Sequence, residues 1–256
     1  MSGALSGKGI VITRPVHQAD HLASLVRSAG GEPILFPALA IDDIADLAPL
    51  LQVVDRLGEF DVAIFISPNA VAKAMNLIRT RGDLPPGLRL AAIGKGSRRE
   101  LARFGIDNVI APEGRFDSEA LLALPEFGRM NGARIVIFRG EGGREHLADE
   151  LARRGARVSY AECYRRVKPD TEAGEILRLW ARGAVHAVTA TSGEIVGNFL
   201  ELIGKLGREW MKSTPIFVPH PSIAEAAGRL GLTEVIATEG GDDGLFAGLQ
   251  AYFGNP

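Results

Sequence analysis

The chain predicts an α/β fold built as two similar parallel-sheet lobes, and three observations carry that expectation. Short, nearly continuous apolar runs alternate with stretches of helical periodicity, as strands covered on both faces and their crossover helices require. The second half echoes the first at an offset of about 125 residues: Ile10-Val11-Ile12-x-Arg14 returns as Ile135-Val136-Ile137-x-Arg139, and Asp61-Val62-Ala63-Ile64-Phe65-Ile66-Ser67 as His186-Ala187-Val188-Thr189-Ala190-Thr191-Ser192. That period exceeds the roughly 20–50 residues of a solenoid repeat and points to a duplicated domain. With 256 residues, 46% hydrophobic and 23% charged, each half can bury its own core.

The elements follow in order. Runs at 9–12, 33–36, 62–66, 89–93 and 108–110 predict strands of the first half. Their counterparts are 134–138, 157–160, 184–190, 215–218 and 234–237. Leu22, Leu25, Val26 and Ala29 share a helical face, and Gly30-Gly31 stops that helix. Leu147, Leu151 and Gly155 repeat the arrangement, and 70–78 and 194–203 carry two further helices. Strand–helix alternation implies right-handed crossovers. The limits of the lobes stay open at this level. A simple cut would fall near Asn131-Gly132, whereas a discontinuous division would place residues near 40–165 in one lobe and both chain ends in the other. In either case two lobes imply a cleft, where ligands usually bind.

Composition narrows the function. A formal net charge of −2 withholds the electrostatic support that nucleic-acid binding needs. The single cysteine, Cys163, forms no internal disulfide, and no Cys/His cluster has metal-ligand spacing. Residues 1–8 are too polar for a signal peptide, and no apolar stretch reaches the roughly 18 residues of a membrane span. The expectation is a cytoplasmic protein that meets neither membrane nor nucleic acid.

Candidate chemistry gathers at strand ends. Ser67-Pro68-Asn69 puts a capping residue before a proline at a helix start, and Ser192-Gly193 takes the matching place. Ser97-x-x-Glu100 and Ser222-x-x-Glu225 read as capping boxes. Such turns lie on the binding edge of an open α/β sheet, where helix N-termini attract anions. A serine cap is ordinarily structural, and duplication of a good cap explains the symmetry as well. Arg14 and Arg139 end equivalent strands and can clamp a carboxylate bidentately, with a surface ion pair as the plainer alternative. Lys95, Arg98 and Arg144 are weaker candidates of the same kind. Gly94-x-Gly96 lacks the third glycine of a dinucleotide fingerprint and reads as a tight turn. His220 lies in a site turn without a triad partner. Tyr164 ends the 159–166 segment, where a phenol can donate a proton or simply pack.

Taken in order, these residues resemble the uroporphyrinogen-III synthase family. The resemblance runs almost end to end through Thr13-Arg14-Pro15, Phe36-Pro37-x-Leu39, Phe65-x-Ser67-Pro68-Asn69-Ala70-Val71, Ile93-Gly94-x-Gly96-Ser97, Arg144-x-x-Leu147-x-x-x-Leu151, Tyr164-Arg165 and Thr191-Ser192. It implies one lobe inserted into the other: residues 1–38 with 167–256, and 39–166, joined by a two-stranded hinge at Pro37–Leu39 and Cys163–Arg166. It implies closure of hydroxymethylbilane to uroporphyrinogen III, with inversion of ring D and loss of water. It also implies no metal and no organic cofactor, a monomer, and porphobilinogen deaminase as a transient partner. Tyr164 matches the family tyrosine that assists the leaving hydroxyl. Arg14, Ser67, Asn69, Ser97, Arg139, Ser192 and Ser222 are the substrate-binding candidates. Two departures stand out: Pro219 and Pro221 replace small residues, and Ser replaces the commoner Thr at positions 97 and 222. The rival class is a non-catalytic two-lobed binding protein for an anionic small molecule.

Overall fold

The computed structural model describes residues 3–254, so the first two positions of the polar N-terminal stretch lie outside the described residues. The chain divides into two compact units. One holds the described residues up to Ala40 together with those from Val167 onward, and the other is Ile41–Arg166. The chain opens with β1 (Gly9–Ile12), α1 (Val16–Ser28) and β2 (Glu32–Leu35). The strands and helices of the second sheet's layer then follow: β3 (Ala40–Asp42), α2 (Ala48–Asp55), β4 (Val62–Phe65), α3 (Pro68–Arg81), β5 (Arg89–Ala92), α4 (Lys95–Arg103), α5 (Ser118–Leu122), β6 (Arg134–Gly140), α6 (His146–Arg153) and β7 (Arg157–Val167). The first unit resumes with α7 (Gly174–Ala181), β8 (Ala187–Thr189), α8 (Gly193–Met211), β9 (Ile216–Val218), α9 (Pro221–Arg229), β10 (Val235–Ala237) and α10 (Gly241–Phe253).

Each unit is organised on one five-stranded sheet, ordered β10-β9-β8-β1-β2 in the first and β3-β7-β6-β4-β5 in the second. The inner pairs are parallel. Continuous apolar runs make such strands because both faces are covered. Val11, Val188, Ile216 and Val218 face one core of the first unit, while Ile10, Ile12, Ala187 and Phe217 face the other. The second unit repeats this, with Ala63, Phe65, Val136 and Phe138 on one face and Val62, Ile64, Ile135 and Ile137 on the other. Phe65 and Phe138 stack with centroids 4.8 Å apart and planes 8° from parallel. Such a pair contributes about 0.5–1.5 kcal/mol beyond its buried area.

The sequence offset reappears as equal register. Gly9 stands opposite Glu32 in one sheet, and Arg134 opposite Arg157 in the other. Ile10 faces Ala187, and Ile135 faces Val62. Each sheet therefore combines the leading strands of one half of the sequence with the trailing strands of the other. A cut near 131–132 would part β4 from β6, which pair residue for residue.

Three expectations shift. The run at 108–110 makes only an isolated bridge from Ala91 to Ile110. Asn108 is a poor strand residue, and Pro112 ends the supply of amides. No strand forms at Pro37–Leu39; it begins at Ala40. Side chains take the carbonyls there instead, with Thr171 Oγ1 donating to Pro37 O at 3.2 Å and Asn198 Nδ2 to Ala38 O at 3.0 Å. The helix expected to close near 203 runs on to Met211 across a break at Gly204 (φ 63°, ψ −165°). Arg208 Nε donates to Leu200 O at 3.0 Å beside that break. Among the described residues no helix is long and apolar enough to cross a membrane.

Candidate functional site

In the second unit the carboxyl ends of β4 and β7 bring Ser67 and Tyr164 together. Ser67 is the N-cap of α3: its backbone is extended (φ −154°, ψ 157°) and its Oγ accepts from Ala70 N–H at 3.1 Å. Pro68 takes the first helical position, where its missing N–H costs nothing. The Tyr164 hydroxyl lies 3.0 Å from the same Oγ, and Tyr164 is only 4% exposed. The pairing of β6 with β7 slips after Arg139–Glu162, so that Gly140 faces Tyr164 and Cys163 is left over. Such bulges re-aim side chains near functional sites. Burial pushes the Cys163 thiol up to about 12, which makes it inert at neutral pH. Asn69 is half-buried in the first turn of α3.

Arg139 is 2% exposed and is committed to its own loop. Its Nε donates to Gly140 O at 3.3 Å, Nη1 to Glu145 Oε1 at 3.3 Å, and Nη2 to Gly142 O. The guanidinium also lies over the Tyr160 ring, 4.6 Å from its centroid. Tyr160 donates its hydroxyl to Glu145. Burial, reinforced by that bond, pushes the Tyr160 phenol up to about 12. The Tyr160 hydroxyl, then Arg139, holds the Glu145 carboxyl below its ordinary range. Arg139 thus fastens the 140–145 loop, while Arg144 stays exposed on it.

The two expected capping boxes are corrected. The N-cap of α4 is Gly94 (φ −120°, ψ 158°), so Ser97 is the third helical residue and is 1% exposed. The helix starts early because Gly94-Lys95-Gly96 continues directly into it. Gly96 also serves packing, since a Cβ there would meet Pro68 Cγ at 3.0 Å. Lys95 Nζ sits 4.9 Å from the Phe116 ring centroid, beside a cavity of about 190 Å³ that Arg98 and Glu113 also line. The N-cap of α9 is His220, and Ser222 is the second helical residue. Pro221 drives the preceding residue into extended backbone (φ −160°, ψ 141°), which is cap geometry. His220 Nδ1 accepts from Ser222 N–H at 3.2 Å and lies 2.8 Å from Ser222 Oγ. Ser97 and Ser222 are therefore not equivalent.

In the first unit Ser192 caps α8, its Oγ accepting from Ile195 N–H at 3.1 Å. Arg14, just after β1, pairs with Asp242 in the first turn of α10. Its Nε is buried without a hydrogen-bond partner. An acid in a first helical turn suits the dipole as well as the arginine.

The strand order puts Arg14, Ser192 and Ser222 on the carboxyl-terminal edge of the first sheet. Ser67, Asn69, Ser97, Arg139 and Tyr164 lie on that edge of the second. Of these, Ser67 and Tyr164 are in hydrogen-bond contact. Sequence reasoning missed Gly140, Asp242 and the His220 cap. A glycine directly after the arginine that ends an apolar strand was the readable sign of the first, and Gly240-Gly241-Asp242-Asp243 at a helix start of the second. Among the described residues no group of three or more His, Cys, Asp or Glu is arranged to hold a metal ion.

These caps, hydroxyls and the buried Tyr164 phenol lie at the carboxyl-terminal edges of two parallel α/β sheets, the edge on which open α/β sheets usually bind ligands. The sequence profile described as "Uroporphyrinogen-III synthase HemD" matches residues 20–247. The chain is 32% identical to the uroporphyrinogen-III synthase of Escherichia coli over 244 residues, covering 94% of this chain and 99% of that one. It is 28% identical to that of Synechococcus elongatus, with 97% and 96% covered. Its fold is similar to a mutant uroporphyrinogen III synthase from Thermus thermophilus (TM-score 0.62, 20% identity, 96% and 97% covered). It is also similar to the synthetase from Helicobacter pylori (TM-score 0.57, 14% identity, 94% and 97% covered). The chain belongs to the uroporphyrinogen-III synthase family, enzymes of tetrapyrrole biosynthesis.

Proposed function

We propose that the chain closes hydroxymethylbilane to uroporphyrinogen III and that Tyr164 supplies the acid. The observation that carries this is the Tyr164 phenol, buried at a strand end and 3.0 Å from the Ser67 hydroxyl that caps α3. The C–O bond of the substrate's hydroxymethyl group breaks as the phenol proton moves to the departing oxygen, and water leaves. The adjacent pyrrole nitrogen supplies electron density to the carbon left behind. That carbon bonds to the substituted α-carbon of ring D to give a spiro intermediate. The methylene bond already at that α-carbon then breaks and re-forms at the ring's free α-carbon, which inverts ring D, and the proton lost there as the pyrrole regains aromaticity balances the one donated. A long flexible substrate must have its ends held together, and orientation of this kind can supply about 7–11 kcal/mol of a barrier.

The substrate's carboxylates are assigned to the donors of the strand ends: the α3 and α8 N-termini with Ser67, Asn69 and Ser192, and the Ser222 hydroxyl, while Ser97, 1% exposed, is assigned a supporting place behind that edge. Arg14 is assigned to a carboxylate through the part of its guanidinium that stays exposed beside Asp242. Arg139 is assigned the role of shaping the 140–145 loop, because its fork is already filled by loop carbonyls and Glu145. We read the enzyme as a cytoplasmic monomer that meets porphobilinogen deaminase transiently; its modest net charge of −2 suits a freely diffusing protein.

Tyr164→Phe tests the assignment. Turnover is expected to fall about 100-fold or more, the usual contribution of a general acid. Stability should fall by only about 1 kcal/mol, the net value of one hydrogen bond. Unchanged turnover in a folded variant would remove Tyr164 from the chemistry.

A further inference from the structure

We propose that Gly140 is a positioning residue: together with the Cys163 bulge and the Ser67 hydroxyl it seats the Tyr164 phenol. The proposal rests on the reading of Tyr164 as the acid. Four observations, all within the second unit, converge on it. A Cβ built on Gly140 would lie 2.7 Å from Tyr164 Cε2 and Cζ and 3.1 Å from Oη. Contacts between carbons settle at about 3.5–4.0 Å, so the ring occupies the space that any side chain at 140 would need. The bulge shifts pairing by one residue, which places Tyr164 opposite Gly140. Glu141 N–H donates to Tyr164 O at 2.7 Å and fixes its backbone. Ser67 Oγ, itself held by Ala70 N–H, fixes the hydroxyl end.

The neighbouring glycines serve a different purpose. Gly142 and Gly143 have φ of 67° and 113°, so their backbone explains them, whereas Gly140 is not among the positive-φ residues. Its missing side chain is explained by the ring alone. Tyr164 is therefore fixed at its backbone carbonyl and its hydroxyl, and its ring fills the space left open at Gly140. A proton donor held this way meets a leaving group in one geometry, and a displacement of about 1 Å can cost 100-fold in rate.

The experiment compares Gly140→Ala, Tyr164→Phe and the double variant. KM and kcat are measured for hydroxymethylbilane closure, and folding is checked by thermal circular dichroism. Gly140→Ala is expected to lower kcat about 100-fold with KM within about twofold, and to add nothing to the loss already caused by Tyr164→Phe. A purely structural glycine would give losses that multiply. Ser67→Ala should also lower kcat without a further loss in the Tyr164→Phe background, and Ser67→Thr, which keeps the hydroxyl, should restore most of it. Wild-type kcat in folded Gly140→Ala, or multiplicative losses, would overturn the inference while leaving Tyr164 as the acid. If Gly140→Ala does not fold, the Ser67 pair decides: losses that multiply with Tyr164→Phe overturn it. Full turnover in Tyr164→Phe alone marks failure of the catalytic reading, and the seating role falls with it.

Discussion

Ser67 shows how one residue joins fold to chemistry. Its oxygen completes the first turn of α3 and meets the Tyr164 hydroxyl, so helix start and candidate acid share one atom. His220 makes the opposite point. A ring nitrogen does the work expected of a serine, because Pro221 fixes the preceding backbone in cap geometry. His220→Ala is therefore expected to destabilise α9 by about 1 kcal/mol, the usual value of an N-cap, and His220→Asn to retain most of it. Amide exchange across Pro221–Arg229 reads the effect; equal protection in wild type and His220→Ala would refute the cap. The Ser67 and Ser192 caps were legible because Ser-Pro and Ser-Gly begin those helices without ambiguity. Ser97 and Ser222 misled because a serine three residues before a glutamate looks the same whether the helix begins at it or before it. The true caps, a glycine and a histidine, carry weak local signals.

Among the elements, β7 binds the site together. Its eleven residues run through the bulge that aims Tyr164, and β6 beside it supplies Arg139 and Gly140. Apolar runs made the inner strands readable, but no hydrophobic pattern announces a one-residue slip between two strands. Only the glycine at 140 hinted at close approach. The strand expected at 108–110 failed for a local reason, since flanking Asn108 and Pro112 leave room for one bridge. The start of β6 is tied to the turn at Leu57–Glu59 by charge. Arg56 donates to Glu59 through Nε at 2.9 Å and Nη2 at 2.8 Å, and Arg134 adds a third bond. The Arg56 hydrogen bond foremost, with Arg134, holds the Glu59 carboxyl at about 2, against an ordinary 4.5. Because the folded value is the lower one, this contribution is complete above about 4.5 and is lost as pH falls through about 2. Melting temperature is expected to fall less steeply across that window in Glu59→Gln than in wild type. The group is exposed, so salt should shrink the difference. Identical slopes at low salt would show that the cluster contributes nothing.

For the whole molecule, the offset of about 125 residues carried more than its two halves suggested. Equal register in the two sheets accounts for the echo, and the exchange of leading strands accounts for the discontinuous division. Periodicity alone left two divisions open, because a repeat shows which segments correspond and not which pack together. The ordered motif set, spread from Thr13 to Ser192, pointed to the family that the comparisons then showed. The roles of the site residues were less legible. Whether an arginine holds a ligand or its own loop depends on neighbours such as Gly142 and Glu145, whose placement sequence does not give. The most direct test is the isomer produced when the purified chain receives hydroxymethylbilane and the oxidised products are separated. Uroporphyrinogen III, with ring D inverted, is the expected result; the type I isomer alone, formed by closure without inversion, would contradict it.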